Sequence, residues 1–209
     1  MPQPPLSPLT TPLEFWEARF AGPELIYGPE ANTFLVEQAA DLVPGTALCL
    51  AEGQGRNGLH LARLGHRVTI QDLSANALAT ARRLADAEGL ELETVWGDLA
   101  DYKPEAERWD LVVAIWMQIP RTMRATVLPR AVAACRPGGR LILEAYTPLQ
   151  LGRESGGPQV LDLLVDPPDL LADVQGLEIL HWQESFRVIH EGQAHRGMSA
   201  TVQLVGGRP

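Results

Sequence analysis

From residue 47 onward the chain repeats one unit: a short apolar run, a turn, then a helical stretch closed by glycine or proline. Ala47-Leu48-Cys49-Leu50-Ala51 runs straight into Gly53-Gln54-Gly55-Arg56-Asn57-Gly58, and a helix over 59–64 stops at Gly65. The next strand, 67–71, ends on Asp72. Ser74 then caps a long helix, 75–88, which Gly89 closes. A third strand, 92–96, ends at Gly97-Asp98. Residues 110–117 (DLVVAIWM) are almost wholly apolar, as a central parallel strand covered on both faces must be. A helix over 121–135 and the turn Pro137-Gly138-Gly139 lead into a fifth strand, 140–146. Strands alternating with helices in this way demand a parallel sheet with helices on both sides. The last third differs: residues 177–190 and 196–205 alternate around Glu191-Gly192-Gln193-Ala194, the pattern of an antiparallel hairpin.

The 209 residues suit one large domain, here 13–209, and 45% hydrophobic content supplies its core. Residues 1–12, with five prolines, read as a disordered tail. Two short helices follow, at 13–20 and 31–42; together 13–43 is expected to form a helical lid. The net charge of -9, with Lys103 the one lysine among 17 basic residues, excludes nucleic acid and anionic membrane as expected partners. Cys49 and Cys135 show no pairing or zinc spacing, which points to a reduced, cytoplasmic protein with no metal. No stretch is long and apolar enough to cross a membrane.

Gly53 and Gly55 let the backbone pass close to a ligand, and the helix behind them offers free N–H groups to a negative group. Asp72, nineteen residues past Gly53, ends a strand where a carboxylate can accept from both hydroxyls of a ribose. Asp98 stands where it can accept from an exocyclic amine. A tight turn packed with glycine is the plainer account of the motif alone, but the flanking strand, helix and acid favour a nucleotide site. Both nicotinamide and S-adenosylmethionine domains share these features.

Arg136-Pro137-Gly138-Gly139 before a strand resembles the corresponding turn of class I methyltransferases, and the terminal hairpin resembles their last two strands. Phe15-Trp16-Glu17-Ala18-Arg19-Phe20, Tyr27-Gly28-Pro29-Glu30-Ala31-Asn32, Gly55-Arg56-Asn57, Asp72-Leu73-Ser74 and Glu144-Ala145-Tyr146-Thr147-Pro148 look like small bacterial methyltransferases of the tellurite-resistance type. The resemblance implies a three-layer α/β/α sandwich around a Rossmann-like, mostly parallel seven-stranded sheet with a C-terminal antiparallel hairpin. It also implies S-adenosyl-L-methionine as cofactor, held by Gly53, Gly55, Arg56, Asn57, Asp72, Leu73, Asp98, Leu99 and Ile115, with Arg19 and Glu52 as further contacts. Many members carry an acid and a glycine where Cys49 and Ala51 stand, and Glu52 is then the nearest substitute.

On the acceptor side, relatives often place a histidine where this chain has Gln118, which hydrogen-bonds but takes no proton at neutral pH. His195-Arg196 resembles a pair serving that side, with Arg196 holding an oxyanion and His195 orienting it or accepting a proton. Tyr146 completes the catalytic candidates. A sulfonium methyl is already activated, so positioning a soft nucleophile in line supplies much of the catalysis. The expected acceptor is a small molecule, a thiol or a metalloid oxyanion. A nicotinamide-dependent oxidoreductase and a non-catalytic S-adenosylmethionine-binding protein stay open, as does monomer or homodimer. The glycine-rich segment 150–158 is expected to be a mobile loop.

Overall fold

The computed structural model describes residues 11–209, so the proline-rich tail up to residue 10 lies outside the described residues. Thr11 and Pro12, expected in that tail, instead open the first helix, α1 (Pro12–Arg19). The Thr11 hydroxyl accepts from the Glu14 N–H, while the Glu14 carboxylate accepts from the Thr11 N–H. A second short helix, α2 (Thr33–Ala39), is capped by the Asn32 side chain.

The alternating region forms β1 (Thr46–Leu50), α3 (Arg56–Arg63), β2 (Arg67–Asp72), α4 (Ala75–Glu88), β3 (Leu92–Trp96), β4 (Trp109–Ile115), α5 (Arg121–Ala134) and β5 (Cys135–Tyr146). Then come α6 (Pro167–Asp173), which the sequence pattern did not reveal, and the hairpin β6 (Glu178–Glu191) and β7 (His195–Gly207). The seven strands lie in the order β3-β2-β1-β4-β5-β7-β6. β1 pairs in parallel with both β2 and β4, so the strand order reverses beside it, and a crevice opens past its carboxyl end. β7 is antiparallel to β5 and β6.

Alternate residues of one strand feed opposite layers. Leu48 and Leu50 pack with Val127, Leu128 and Ala131 of α5, whereas Ala47 and Cys49 pack with Phe34, Leu35, Leu61 and Leu78 from α2, α3 and α4. The result is the three-layer sandwich. Arg124 of α5 is fully buried and reaches α6 by donating to Asp173 at 3.0 Å.

Three expectations need revision. Arg136-Pro137-Gly138-Gly139 is not a turn ahead of the strand but a bulge inside it, because Cys135 already pairs with Trp109 before the register shifts. Residues 150–158 are pinned: the Gln150 amide donates to Ser155 Oγ and Gly156 O, and its oxygen accepts from the Ala200 N–H. Of the segment 13–43, α2 belongs to the core, and only α1 and the chain to Tyr27 face the crevice. Among the described residues, no helix is long and apolar enough to cross a membrane.

The β6–β7 turn clamps the chain that follows α1. Gln193 N–H donates to Ile26 O at 3.2 Å, and Gly192, at φ 60°, lies against the backbone of Gly28. A Cβ on Gly192 would stand 2.4 Å from Gly28 N and 2.5 Å from Ile26 O, and backbone cannot yield as a flexible side chain can. Gly192→Ala should therefore cost about 1–3 kcal/mol of stability, read as a lower midpoint in urea denaturation.

Candidate functional site

The crevice at the carboxyl ends of β1, β2 and β4 is a cavity of about 260 Å³. Its floor is the Gly-rich turn. Ala51 leaves β1 at φ 49°, Gly53 follows at 66° and Gly55 at 91°, conformations that favour glycine at all three places. The position with a side chain, Ala51, is held by its N–H donating to the Gln71 amide oxygen.

Glu52 turns back onto α3. Its Oε1 accepts from Asn57 N–H at 2.7 Å and from Gly58 N–H at 2.8 Å. Two of the helix N–H groups expected to face a negative ligand are therefore already satisfied by the chain's own carboxylate. Asp72 lies beside it, 6% exposed; Oδ2 accepts from Gly53 N–H at 2.7 Å and Oδ1 from Ser74 N–H at 2.8 Å. Each Asp72 oxygen keeps a lone pair for a further donor. Burial raises its pKa against the pull of those N–H donors.

The structure brings Glu52, Gly53, Arg56, Asn57, Asp72, Leu73, Asp98, Leu99, Ile115, Gln118 and His195 to one wall. Four other candidates lie elsewhere. Gly55 faces α4, where a Cβ would meet the Ala81 methyl at 2.6 Å, so its lack of a side chain serves helix packing. The Arg19 guanidinium sits on Tyr27, donating from Nε to its hydroxyl at 3.0 Å. Tyr146 is buried behind Trp116, with ring centroids 4.3 Å apart, and its hydroxyl has no hydrogen-bond partner. Arg196 is exposed and pairs with His190 across the hairpin, on the opposite side of the strand from its buried neighbour His195. It cannot hold an oxyanion in this cavity.

Sequence reasoning missed part of the wall. Phe15, Trp16 and Phe20 roof the cavity with Tyr27, and Gln71, Ile119, Met123 and Leu163 also line it. The signal was present: three aromatics lie within six residues around α1, yet none of that helix's own residues is buried. Such rings need another surface to cover. α1 is docked by Glu17, whose carboxylate accepts from Ala75 N–H at 2.5 Å at the start of α4.

His195 meets Tyr27, Trp116 and Tyr146 with ring centroids at 4.6, 5.4 and 5.4 Å. Burial lowers its pKa, opposed by Glu191, so the ring is neutral near pH 7. Arg56 is committed elsewhere: it donates to Glu191 at 2.6 Å and to the Glu30 carbonyl at 3.2 Å.

Burial raises the Glu52 pKa from 4.5 to about 7, against Gly58 N–H, Arg56 and Asn57. Between those pH values the folded protein holds a proton that the unfolded chain has lost. Stability then falls as pH rises through this window and levels off above it. The full difference is roughly 3 kcal/mol. Glu52→Gln keeps an oxygen for the helix N–H groups, so its unfolding free energy should vary less between pH 5 and pH 8 than the wild type's, as measured in urea.

With the geometry established, relatives identify the fold. Residues 47–139 match the family model of a methyltransferase domain. No curated protein matches the chain. A structure solved in work on the conversion of a disulfide bond into a thioacetal group during echinomycin biosynthesis is 23% identical, with TM-score 0.73, covering 94% of this chain and 91% of that one. TehB from Haemophilus influenzae is 18% identical, with TM-score 0.73, covering 94% of this chain and 66% of that one. Magnesium protoporphyrin IX methyltransferase from Synechocystis PCC 6803, solved with bound SAH, is 16% identical, with TM-score 0.63, covering 84% and 80%. At these identities the likeness is one of fold, and the domain match over residues 47–139 adds the chemistry it points to, methyl transfer from S-adenosylmethionine.

Proposed function

We propose that the acceptor is a small organic molecule that attacks as a soft nucleophile, with a thiol the best match. The observation that carries this reading is the enclosure of the cavity by Phe15, Trp16, Phe20, Tyr27 and Trp116. An aromatic roof over a crevice that must also hold the cofactor favours a compact acceptor over a protein side chain on its backbone or a nucleic acid.

The residues fit the cofactor. Asp72 has lone pairs left for the two ribose hydroxyls, and Asp98 lies at the cavity's edge for an exocyclic amine. Leu73, Leu99 and Ile115 supply apolar surface for a flat base. A Cβ on Gly53 would touch the Phe20 ring at 3.4 Å, so the bare backbone lets the roof come down close to the floor at that point. Glu52, once ionised, is the carboxylate for a cationic amino group. Bound there, S-adenosylmethionine supplies a methyl group on a positively charged sulfur that leaves as a neutral thioether.

The chain's own contribution is enclosure and aim. Aromatic walls exclude water and strip the acceptor of its solvent, while Gln118 and His195 are the polar groups left on the acceptor side. Neutral His195 can take the proton of a thiol as its sulfur attacks. A metalloid oxyanion is a poorer match, because Arg56 is the only cation on the wall among the described residues and Glu191 already neutralises it.

Calorimetric titration with S-adenosylhomocysteine should show binding, and Asp72→Asn should weaken it by about 10- to 100-fold, the worth of one or two charge-assisted hydrogen bonds. NAD should give no heat. Radiolabelled methyl transfer should be detected with small aromatic or alkyl thiols and exceed that with selenite or tellurite. Preference for the oxyanions would overturn the thiol reading.

A further inference from the structure

Glu191 has no assigned part in methyl transfer, yet its carboxylate meets side chains from the cap of α2, from α3, from the end of β4 and from β7. One oxygen, Oε2, accepts from Arg56 of α3 at 2.6 Å and from the Trp116 indole N–H at the end of β4, also at 2.6 Å. The other, Oε1, accepts from the Asn32 amide at 2.8 Å. His195 completes the ring: its Nδ1 lies 3.7 Å from Oε2, and neither imidazole nitrogen has a hydrogen-bond partner. A buried carboxylate with three donors satisfied, facing a buried imidazole with none, is a directional arrangement.

We propose that Glu191 is the positioning residue of the acceptor side: it holds the Trp116 indole in place and selects the Nδ1–H tautomer of His195, so that Nε2, buried in this structure, carries the lone pair that takes the acceptor's proton. The inference rests on the reading of His195 as a wall of the acceptor site. Nδ1 is the nitrogen aimed at the carboxylate, so a proton there is attracted, and one on Nε2 is left with nothing to bond. A slight shortening of the 3.7 Å gap turns the contact into a charge-assisted hydrogen bond.

The step balances. The acceptor X–H gives its proton to Nε2 as the lone pair of X forms the bond to the methyl carbon. The carbon–sulfur bond breaks and its electrons return to sulfur, leaving X–CH₃, a neutral thioether and an imidazolium. Glu191 stands beside that new positive charge. The other charged and titratable groups around the pair are Arg56, Arg19 of α1, Arg187 of β6, Glu144 of β5, Tyr27 and Tyr146. Burial, Arg56 and Arg19 oppose the imidazolium, and Glu191 is the group that favours it.

Trp116 is the second object of this positioning. It sits at φ 55°, an unusual backbone conformation for a bulky residue, and its indole forms both cavity wall and cover for Tyr146. Among the described residues, the bond to Glu191 is the one polar contact fixing its ring.

The test is nitrogen-15 NMR of the imidazole side chains in the intact protein near pH 7.5, with the His195 signals assigned by comparison with His195→Gln. Wild type should show the proton on Nδ1. In Glu191→Gln that preference should be lost, the protonation midpoint of His195 should fall by about one pH unit or more, and kcat should drop about 10- to 100-fold with its acid limb moved to lower pH. Glu191→Asp should recover part of both changes. A proton on Nε2 in the wild type, or a tautomer unmoved in a folded Glu191→Gln, would overturn the proposal. The wild-type spectrum decides alone if the variant does not fold. Failure of wild type to bind S-adenosylhomocysteine would instead remove the methyltransferase reading, and Glu191's role with it.

Discussion

Two buried carboxylates share one amide, and much of the molecule is arranged around that fact. The Asn32 side-chain nitrogen donates to Glu144 at 2.6 Å and to Glu191 at 2.8 Å. Each ion costs several kcal/mol to take out of water, and two together add mutual repulsion. The cost is offset because each has its own arginine. Arg187 grips both oxygens of Glu144 at 2.7 Å, a two-pronged contact that lysine cannot make, and Arg56 meets Glu191. Gln203 adds a further donor to Glu144. The partners come from α2's cap, α3, β5, β6 and β7, so satisfying these charges fixes five separate pieces of chain at once.

The same bonds run on into the cofactor floor. Asn32 N–H donates to the Asn57 side chain, whose backbone N–H donates to Glu52. Floor, acceptor wall and hairpin are thus one continuous polar network, and it is rigid because its members are satisfied. The roof is built differently. α1 buries none of its own residues and rests on aromatic contacts, on Glu17 at the start of α4 and on the clamp at Gly192. Few buried contacts mean a low cost of opening, and a cavity closed by such an element needs a way to admit ligands.

The layered sheet was legible because parallel strands buried on both faces read as unbroken apolar runs, and because Gly65 and Gly89 mark helix ends without ambiguity. Asp72 and Glu52 were legible for the same local reason: each follows a strand at the turn that opens the crevice. What stayed hidden depends on pairing across long distances. Alternation on β7 put His195 and Arg196 on opposite sides, but only the register with β6 says which side faces in. Glu191 looked like part of a polar turn, since nothing near it in sequence announces Arg56, 135 residues away. Gly55 invited a ligand explanation, while its φ of 91° and a methyl group on α4 both constrain it to glycine. The pinned segment 150–158 misled for a related reason: glycine suggests mobility locally, and the Gln150 and Ser155 bonds that remove it reach across to β7.

Strain is concentrated where the polar network meets the cavity. Among the described residues, the non-glycine ones with positive φ besides the exposed Glu107 are Ala51 and Trp116, one at the end of β1 and one just past β4. Such conformations cost on the order of 1–3 kcal/mol each and persist only when their surroundings over-determine them. Trp116 is over-determined: its N–H donates to Glu144 O at 2.9 Å, its ring stacks on Tyr146, and its indole N–H is held by Glu191. The Glu191 carboxylate thus sets the ring of the residue that walls the acceptor, while the Glu144 carbonyl holds its backbone. A chain under no demand at this place would relax Trp116 into the ordinary extended region and turn its indole away. That it is held otherwise, by three independent contacts, ties the buried charges to the shape of the cavity rather than to stability alone.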